Sequence, residues 1–289
     1  MSKLLIIPPI RIIIAILFVG VAIVIGQVVL NFLRSVFSIT NTGVANLLSL
    51  ALLTPATYFA YRTYFRLVEK RDLTELSRVN MFYEFALGSL IGFGLIGFGL
   101  FALVIAILSL LGFYRVTGVD SVGQLVIAAL ASAFVSAFVQ ELIFRTVIYR
   151  ITEEWLGTWW VLAISAILFG LIHLTSPGAA LFSALAIAPQ AGVLLGAAYA
   201  LTHRLWMALG MHMMWDFVND GIFGVGVAGQ SGEPIAGLLQ VRLNGPQLFT
   251  GGIFGVEASV VALVIVLIAG IFMLWKTYQN GQFVELRPS

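Results

Sequence analysis

The sequence predicts an all-α integral membrane protein, a polytopic bundle of about eight transmembrane helices. Hydrophobic residues make up 61% of the 289 residues and charged residues only 10%, whereas soluble domains carry about 25% charge. The mean hydropathy is +1.06, and 29 Gly suit helices that approach each other closely. The chain has no Cys, which excludes disulfides and a cysteine nucleophile. We expect a single membrane domain over residues 1–289, without a cleavable signal peptide.

The predicted helices follow from the apolar stretches, since a spanning helix needs about 20 apolar residues. The seventh stretch is short, and Pro189 predicts a kink in the sixth. The connection 62–82 mixes both charge signs and is predicted to be solvated, and the Gly-rich segment 221–251 is predicted to be a loop on the opposite side. The helices are predicted at about residues 11–33, 44–62, 83–113, 124–150, 157–174, 178–201, 205–220 and 252–275.

The distribution of basic residues predicts the orientation of the chain. Of 15 Lys and Arg residues, all but Arg34, Arg115 and Arg242 fall on the side of the N-terminus. Cytoplasmic loops carry the excess of Lys and Arg. We therefore expect a multi-pass protein of the cell membrane with both termini in the cytoplasm.

Three polar clusters interrupt the apolar helices. Gln140, Glu141 and Arg145 lie in the fourth, Phe169 and His173 in the fifth, and His212 and Asp216 in the seventh. An ionisable group in the hydrocarbon core costs at least about 2.5 to 3.5 kcal/mol, which favours a function for these residues. Within each cluster two members are four residues apart and share a helix face. Gln140 and Glu141 are about 100° apart around the helix axis, so we expect them to have different partners.

Helix arithmetic brings the clusters to overlapping depths. With a turn near residues 153–157 and a rise of 1.5 Å per residue, Glu141 lies about 18 Å and His173 about 24 Å into the membrane. From Leu205, His212 lies about 10 Å and Asp216 about 16 Å in. Carboxylate, imidazole and amide groups that meet in this way could activate water and stabilise an oxyanion. The same set could bind a metal, although there is no His-Glu-x-x-His pair, or form a polar network that only fixes packing.

The three motifs resemble the CAAX protease and bacteriocin-processing (ABI) family, which includes the Rce1-type prenyl-protein endopeptidases. The family pattern is Glu-Glu-x-x-x-Arg, then Phe-x-x-x-His, then His-x-x-x-Asn or Asp, on successive helices, and the likeness covers about residues 125–220. This range is the expected catalytic-type core. The matching positions are Glu141, Arg145, Phe169, His173, His212 and Asp216.

The resemblance implies a glutamate-type intramembrane endopeptidase that needs no metal and no other cofactor. By this likeness His173 assists the base, and His212 with Asp216 binds the oxyanion. Glu141 and Arg145 support the site. The implied substrate is a peptide or the C-terminal tail of a protein, prenylated or not, met in membrane lipid and without nucleic acid.

Position 140 departs from the family pattern, because the general base there is Glu and this chain has Gln140. An amide cannot accept a proton from water at neutral pH. Three interpretations follow: Glu141 or His173 replaces the base, the protein binds without cutting, or the chain is an engineered inactive form. The functional alternatives are a non-catalytic membrane partner, such as an immunity or scaffold protein, and a transporter that uses the buried charges.

Overall fold

The computed structural model describes residues 7–120, 122–176, 180–225 and 237–286, and these form a bundle of helices. Several helices widen into π-helical turns, as at Ile91–Phe101 and Leu142–Tyr149. The α-helices are α1 (Pro8–Val36), α2 (Thr42–Tyr64), α3 (Met81–Leu90), α4 (Ala102–Leu110), α5 (Val122–Glu141), α6 (Arg150–Ile172), α7 (Leu181–Pro189), α8 (Gly196–Thr202), α9 (Leu205–Asp216), α10 (Gln247–Thr250) and α11 (Val260–Gln279).

Among the described residues, six helical runs are long and apolar enough to cross a membrane, which confirms a multi-pass helical membrane protein. One run covers nearly all of the fourth and the fifth predicted helices, and the short seventh, predicted at 205–220, is not among the six. The number eight therefore stays a prediction, as does the cytoplasmic location of the termini. The runs are Pro8–Val36, Thr42–Glu69, Met81–Leu110, Val126–Thr175, Leu181–Thr202 and Val260–Gln279.

The 50-residue run is a hairpin that turns at Gly157. This glycine has φ 77° and ψ 170°, which interrupts the helix. Arg145 Nη1 on the first leg donates to Ser165 Oγ on the second over 3.0 Å. The rings of Phe144 and Phe169 are 4.8 Å apart and pack edge to face. The two legs are therefore antiparallel, as the calculated depths of Glu141 and His173 require.

Helix α9 lies in the interior of the bundle and packs closely on α3. A Cβ added to Gly210 would lie 2.5 Å from the carbonyl oxygen of Phe85, and one added to Gly88 would overlap the backbone of Met207. Small residues permit such close contact between membrane helices. This packing holds His212 of α9 at a fixed place inside the bundle.

Two parts of the structure differ from the predictions. Strands β1 (Tyr114–Val119) and β2 (Leu239–Leu243) pair antiparallel, where loops were expected in an all-α fold. The connection after α2 is not fully solvated, because Glu75 is only 1% exposed. The connection folds against the bundle, where Arg71 and Tyr61 contact the Glu75 carboxylate.

Candidate active site

The innermost part of the site is a buried ion pair between Glu141 and Arg145. Arg145 Nε donates to Glu141 Oε2 over 2.8 Å, and both side chains are fully buried. A buried carboxylate is stable only when paired and hydrogen-bonded. The π-helical turns that follow Glu141 keep this pair in contact within one chain segment.

His212 extends this pair towards the cavity. Its Nδ1 lies 2.8 Å from Glu141 Oε1. A carboxylate that is already held by an arginine only accepts, so Nδ1 carries the proton. The other ring nitrogen, Nε2, lies 3.5 Å from Asp216 Oδ1. Arg145, Glu141, His212 and Asp216 thus form one continuous row.

His173 packs against the Phe169 ring. Its Nδ1 lies 2.7 Å from the backbone oxygen of Phe169, which can only accept, so Nδ1 is the protonated nitrogen. In the neutral ring, Nε2 then keeps a lone pair. The ring of Phe169 is 4.8 Å from His173 and 6.1 Å from His212, so this aromatic side chain lies close to both imidazoles.

Gln140 is oriented by a serine one turn earlier. Its Nε2 donates to Ser136 Oγ over 2.8 Å, and the Ser136 side chain also interacts with the Asp216 carboxylate. Gln140 and Glu141 therefore have different partners, as their angular separation predicts. Among the described residues, no donor to the amide oxygen of Gln140 is found, so this oxygen can accept a hydrogen bond from a bound molecule.

A cavity of about 260 Å³ joins these groups. Gln140, Phe169, His173, His212 and Asp216 line it, whereas Glu141 and Arg145 lie behind His212 and do not. The structure thus brings all seven predicted residues together. Five of them line the cavity, and the other two support His212 from behind. Within the part of the chain that the structure describes, no three His, Asp or Glu side chains converge closely enough to hold a metal ion.

The cavity also contains polar residues that the motifs did not predict. Asp220 lies four residues after Asp216, as Asp216 lies four residues after His212, so the sequence spacing alone could have predicted that Asp220 shares their helix face. Glu257 lies before α11 and faces the cavity, and Gln190, the neighbour of Pro189, adds a polar contact there as the sequence suggests. The polar lining residues outside the three motifs are Ser136, Ser176, Gln190, Asn219, Asp220 and Glu257.

The fold and the site define a polytopic helical membrane protein with carboxylate, imidazole and amide groups around an internal cavity. Residues 122–218, about a third of the chain, match the model of the family described as type II CAAX prenyl endopeptidase Rce1-like. The match begins with α5, contains all seven predicted site residues, and confirms the resemblance given by the three motifs. It supports a peptidase of the CAAX type, a family that acts on the C-terminal tails of peptides or proteins. Neither the curated proteins nor the solved structures gave a match to this chain.

Proposed function

We propose that the protein is an intramembrane endopeptidase that cleaves near the C-terminus of a peptide or protein tail, with His173 as the base that activates water. The observation that carries this proposal is the bond from His173 Nδ1 to the Phe169 carbonyl. It leaves Nε2 as a proton acceptor on a residue that lines the same cavity as Gln140 and His212.

The neighbours of Glu141 favour His173 over Glu141 as the substitute base. Both Glu141 oxygens are engaged, one by His212 and one by Arg145. A general base must come within hydrogen-bond reach of the water that it deprotonates. Glu141 is fully buried and does not line the cavity, so it supports the site without reaching water.

In the proposed reaction, Gln140 Oε1 accepts one hydrogen bond from the water and orients it. His173 Nε2 takes a proton as the water oxygen bonds to the scissile carbonyl carbon. The carbonyl oxygen becomes an oxyanion. The His173 imidazolium then gives its proton to the amide nitrogen as the C–N bond breaks, which yields a carboxylic acid and an amine. The acid then passes its remaining proton to the amine, giving a carboxylate and an ammonium group.

His212 is the proposed oxyanion donor. In the proposed role His212 is an imidazolium: Nδ1–H donates to Glu141, which Arg145 holds, and the second proton, on Nε2, points away from Glu141. The 3.5 Å from Nε2 to Asp216 is too long for a strong hydrogen bond. Asp216 orients the ring, and Nε2–H is left for the developing charge, where such donors contribute most.

The test uses the full chain in lipid nanodiscs with farnesylated and plain CAAX-type peptides. We expect His173→Ala to lower kcat by about 100-fold or more, since general base catalysis contributes about 10²–10⁴. The matched control is His203→Ala, because His203 pairs with Glu153 outside the cavity. Cleavage by the His173 variant at the rate of the control would exclude His173 as the base.

A second candidate, a non-catalytic membrane partner, is favoured by the amide at Gln140, which cannot act as a base. It predicts that His173→Ala and His212→Ala keep the cellular phenotype at normal protein level. Loss of the phenotype in either variant would contradict it.

A further inference from the structure

One wall of the cavity consists of hydrogen-bond acceptors. It is formed by Gln190, Asn219, Asp220 and Glu257, here called the acidic wall, and all four line the cavity beside Asp216. Asn219 and Asp220 come from the turns after α9, Glu257 from the short helical turn before α11, and Gln190 from the kink at Pro189.

The donors of this wall are all used within the protein. Gln190 Nε2 donates to the carbonyl oxygens of Ala186 and Glu257 over 2.7 and 2.9 Å. Asn219 Nδ2 donates to Asp220 Oδ1 over 2.9 Å and approaches Glu257 Oε2 at 3.4 Å. These bonds fix the orientation of both amides.

The two amide oxygens of the wall, in contrast, have no donor within the described structure. Gln190 Oε1 and Asn219 Oδ1 have no hydrogen-bond partner in the described structure, although the two residues are only 4% and 2% exposed. Buried amide oxygens normally have a partner, so each missing one needs an explanation. A ligand that brings N–H donors would supply it.

The carboxylates of the wall also favour a ligand with N–H donors, and in addition a positive charge. Among the described residues, neither Asp220 nor Glu257 forms an ion pair with a basic side chain. The two cavity histidines have other partners, Phe169 for His173 and Glu141 for His212. A carboxylate without a positive partner is costly inside a membrane protein.

The form of the wall favours an extended cation. No three acidic or histidine side chains of the described residues converge on a metal-sized point. A guanidinium or ammonium group on a flexible stem presents several donors over a wider area. Ile187, Leu194 and Val266 line the same cavity and give the apolar stem a surface to pack against.

We propose that the acidic wall is a recognition subsite for the cationic side chain of an arginine or lysine in the bound peptide. The identity of the ligand as a peptide rests on the proposed function. The wall then sets specificity by pairing Asp220 and Glu257 with one positive group, while the unpaired amide oxygens accept its remaining N–H bonds.

The experiment measures binding and cleavage separately, with the full chain in nanodiscs. The probes are short peptides in which one position near the scissile bond carries arginine, lysine, citrulline or norleucine. Each position around the scissile bond is tested in turn. We expect one position at which arginine or lysine lowers Kd at least about tenfold relative to citrulline, because charge-assisted hydrogen bonds are the strong ones. Comparison of the arginine and lysine arms distinguishes guanidinium from ammonium recognition.

Two variants of the wall, Glu257→Gln and Asp220→Asn, should each reduce this preference, and either one suffices if the other does not fold. The matched control is Asp72→Asn, an exposed carboxylate outside the cavity, which should keep it. Equal binding of all four peptides at every position, or an undiminished preference in both wall variants, would overturn the subsite. Selective binding of the cationic peptides without cleavage supports the subsite and counts against the endopeptidase. Cleavage without a preference for cationic peptides supports the endopeptidase and counts against the subsite.

Discussion

The buried charges around Glu69 and those of the acidic wall differ in their hydrogen bonding. The first, called the ion network, joins Arg11, Glu69, Arg71, Glu75 and Arg150. Every carboxylate oxygen in it accepts at least one hydrogen bond. The second is the acidic wall of the cavity, where buried acceptors remain without partners.

Both carboxylates of the ion network are paired with arginines. Glu69 Oε1 accepts from Arg11, Tyr64 and Arg150 at 2.8–2.9 Å, and its Oε2 accepts from Arg71. A network in which each member is satisfied fixes a unique packing. The acidic wall has three carboxylates nearby, with Asp216 included, and no arginine. Burial and charge alone therefore do not distinguish the two groups, whereas unsatisfied hydrogen-bonding capacity does.

The largest effect should come from Arg150→Met, which breaks the ion network. Arg150 contacts Glu69, Glu75 and Glu154, and its loss leaves buried carboxylates unpaired. We expect the free energy of unfolding to fall by about 3–5 kcal/mol, measured by denaturation in detergent. The control is Arg78→Met at an exposed position. An unfolding midpoint equal to that of the control would show that the network contributes little to stability.

The next effect should come from the cavity, in Gln140→Glu. A carboxylate at this position restores a base beside His173, and we expect kcat on the cleaved peptide to rise about 100-fold. The new carboxylate would share Ser136 with Asp216, and like charges at one site oppose each other's ionisation. We therefore expect Gln140→Glu combined with Asp216→Asn to be faster than Gln140→Glu alone.

The control for this substitution is Gln279→Glu, which adds the same charge at an exposed position. A Gln140→Glu protein no faster than this control would mean that the amide at residue 140 does not limit the rate. The absence of cleavage by both proteins, in contrast, would favour the non-catalytic partner.

The sequence predicts the parts of the site that lie on continuous helices. His212 and Asp216 share a face because they are four residues apart, and helix rise alone brings Glu141 and His173 to similar depth. The hairpin at Gly157 and the grouping of the three motifs follow from such local rules. The network partner Glu75 was missed, because a mixed-charge segment also fits a solvated loop.

The remaining features depend on contacts that no local pattern encodes. Glu257 enters the cavity because the short helical turns Gly252–Phe254 and Val256–Ala258 precede α11, and their path is set by tertiary packing. Strands β1 and β2 are separated by more than a hundred residues, and each forms only through its partner.

The smallest effect on stability should come from Gln190→Met, which tests whether the acidic wall resembles the ion network. The change removes two hydrogen bonds from Nε2, but it also removes the unpaired Oε1, and Met fills a similar volume. The Glu257 carbonyl oxygen then loses its Nε2 donor, and a buried acceptor left without its partner costs about 1–3 kcal/mol. We expect the free energy of unfolding to fall by about 1–3 kcal/mol, less than for Arg150→Met in the same detergent assay. A loss as large as that of Arg150→Met would mean that the acidic wall, like the ion network, serves mainly to hold the helices together.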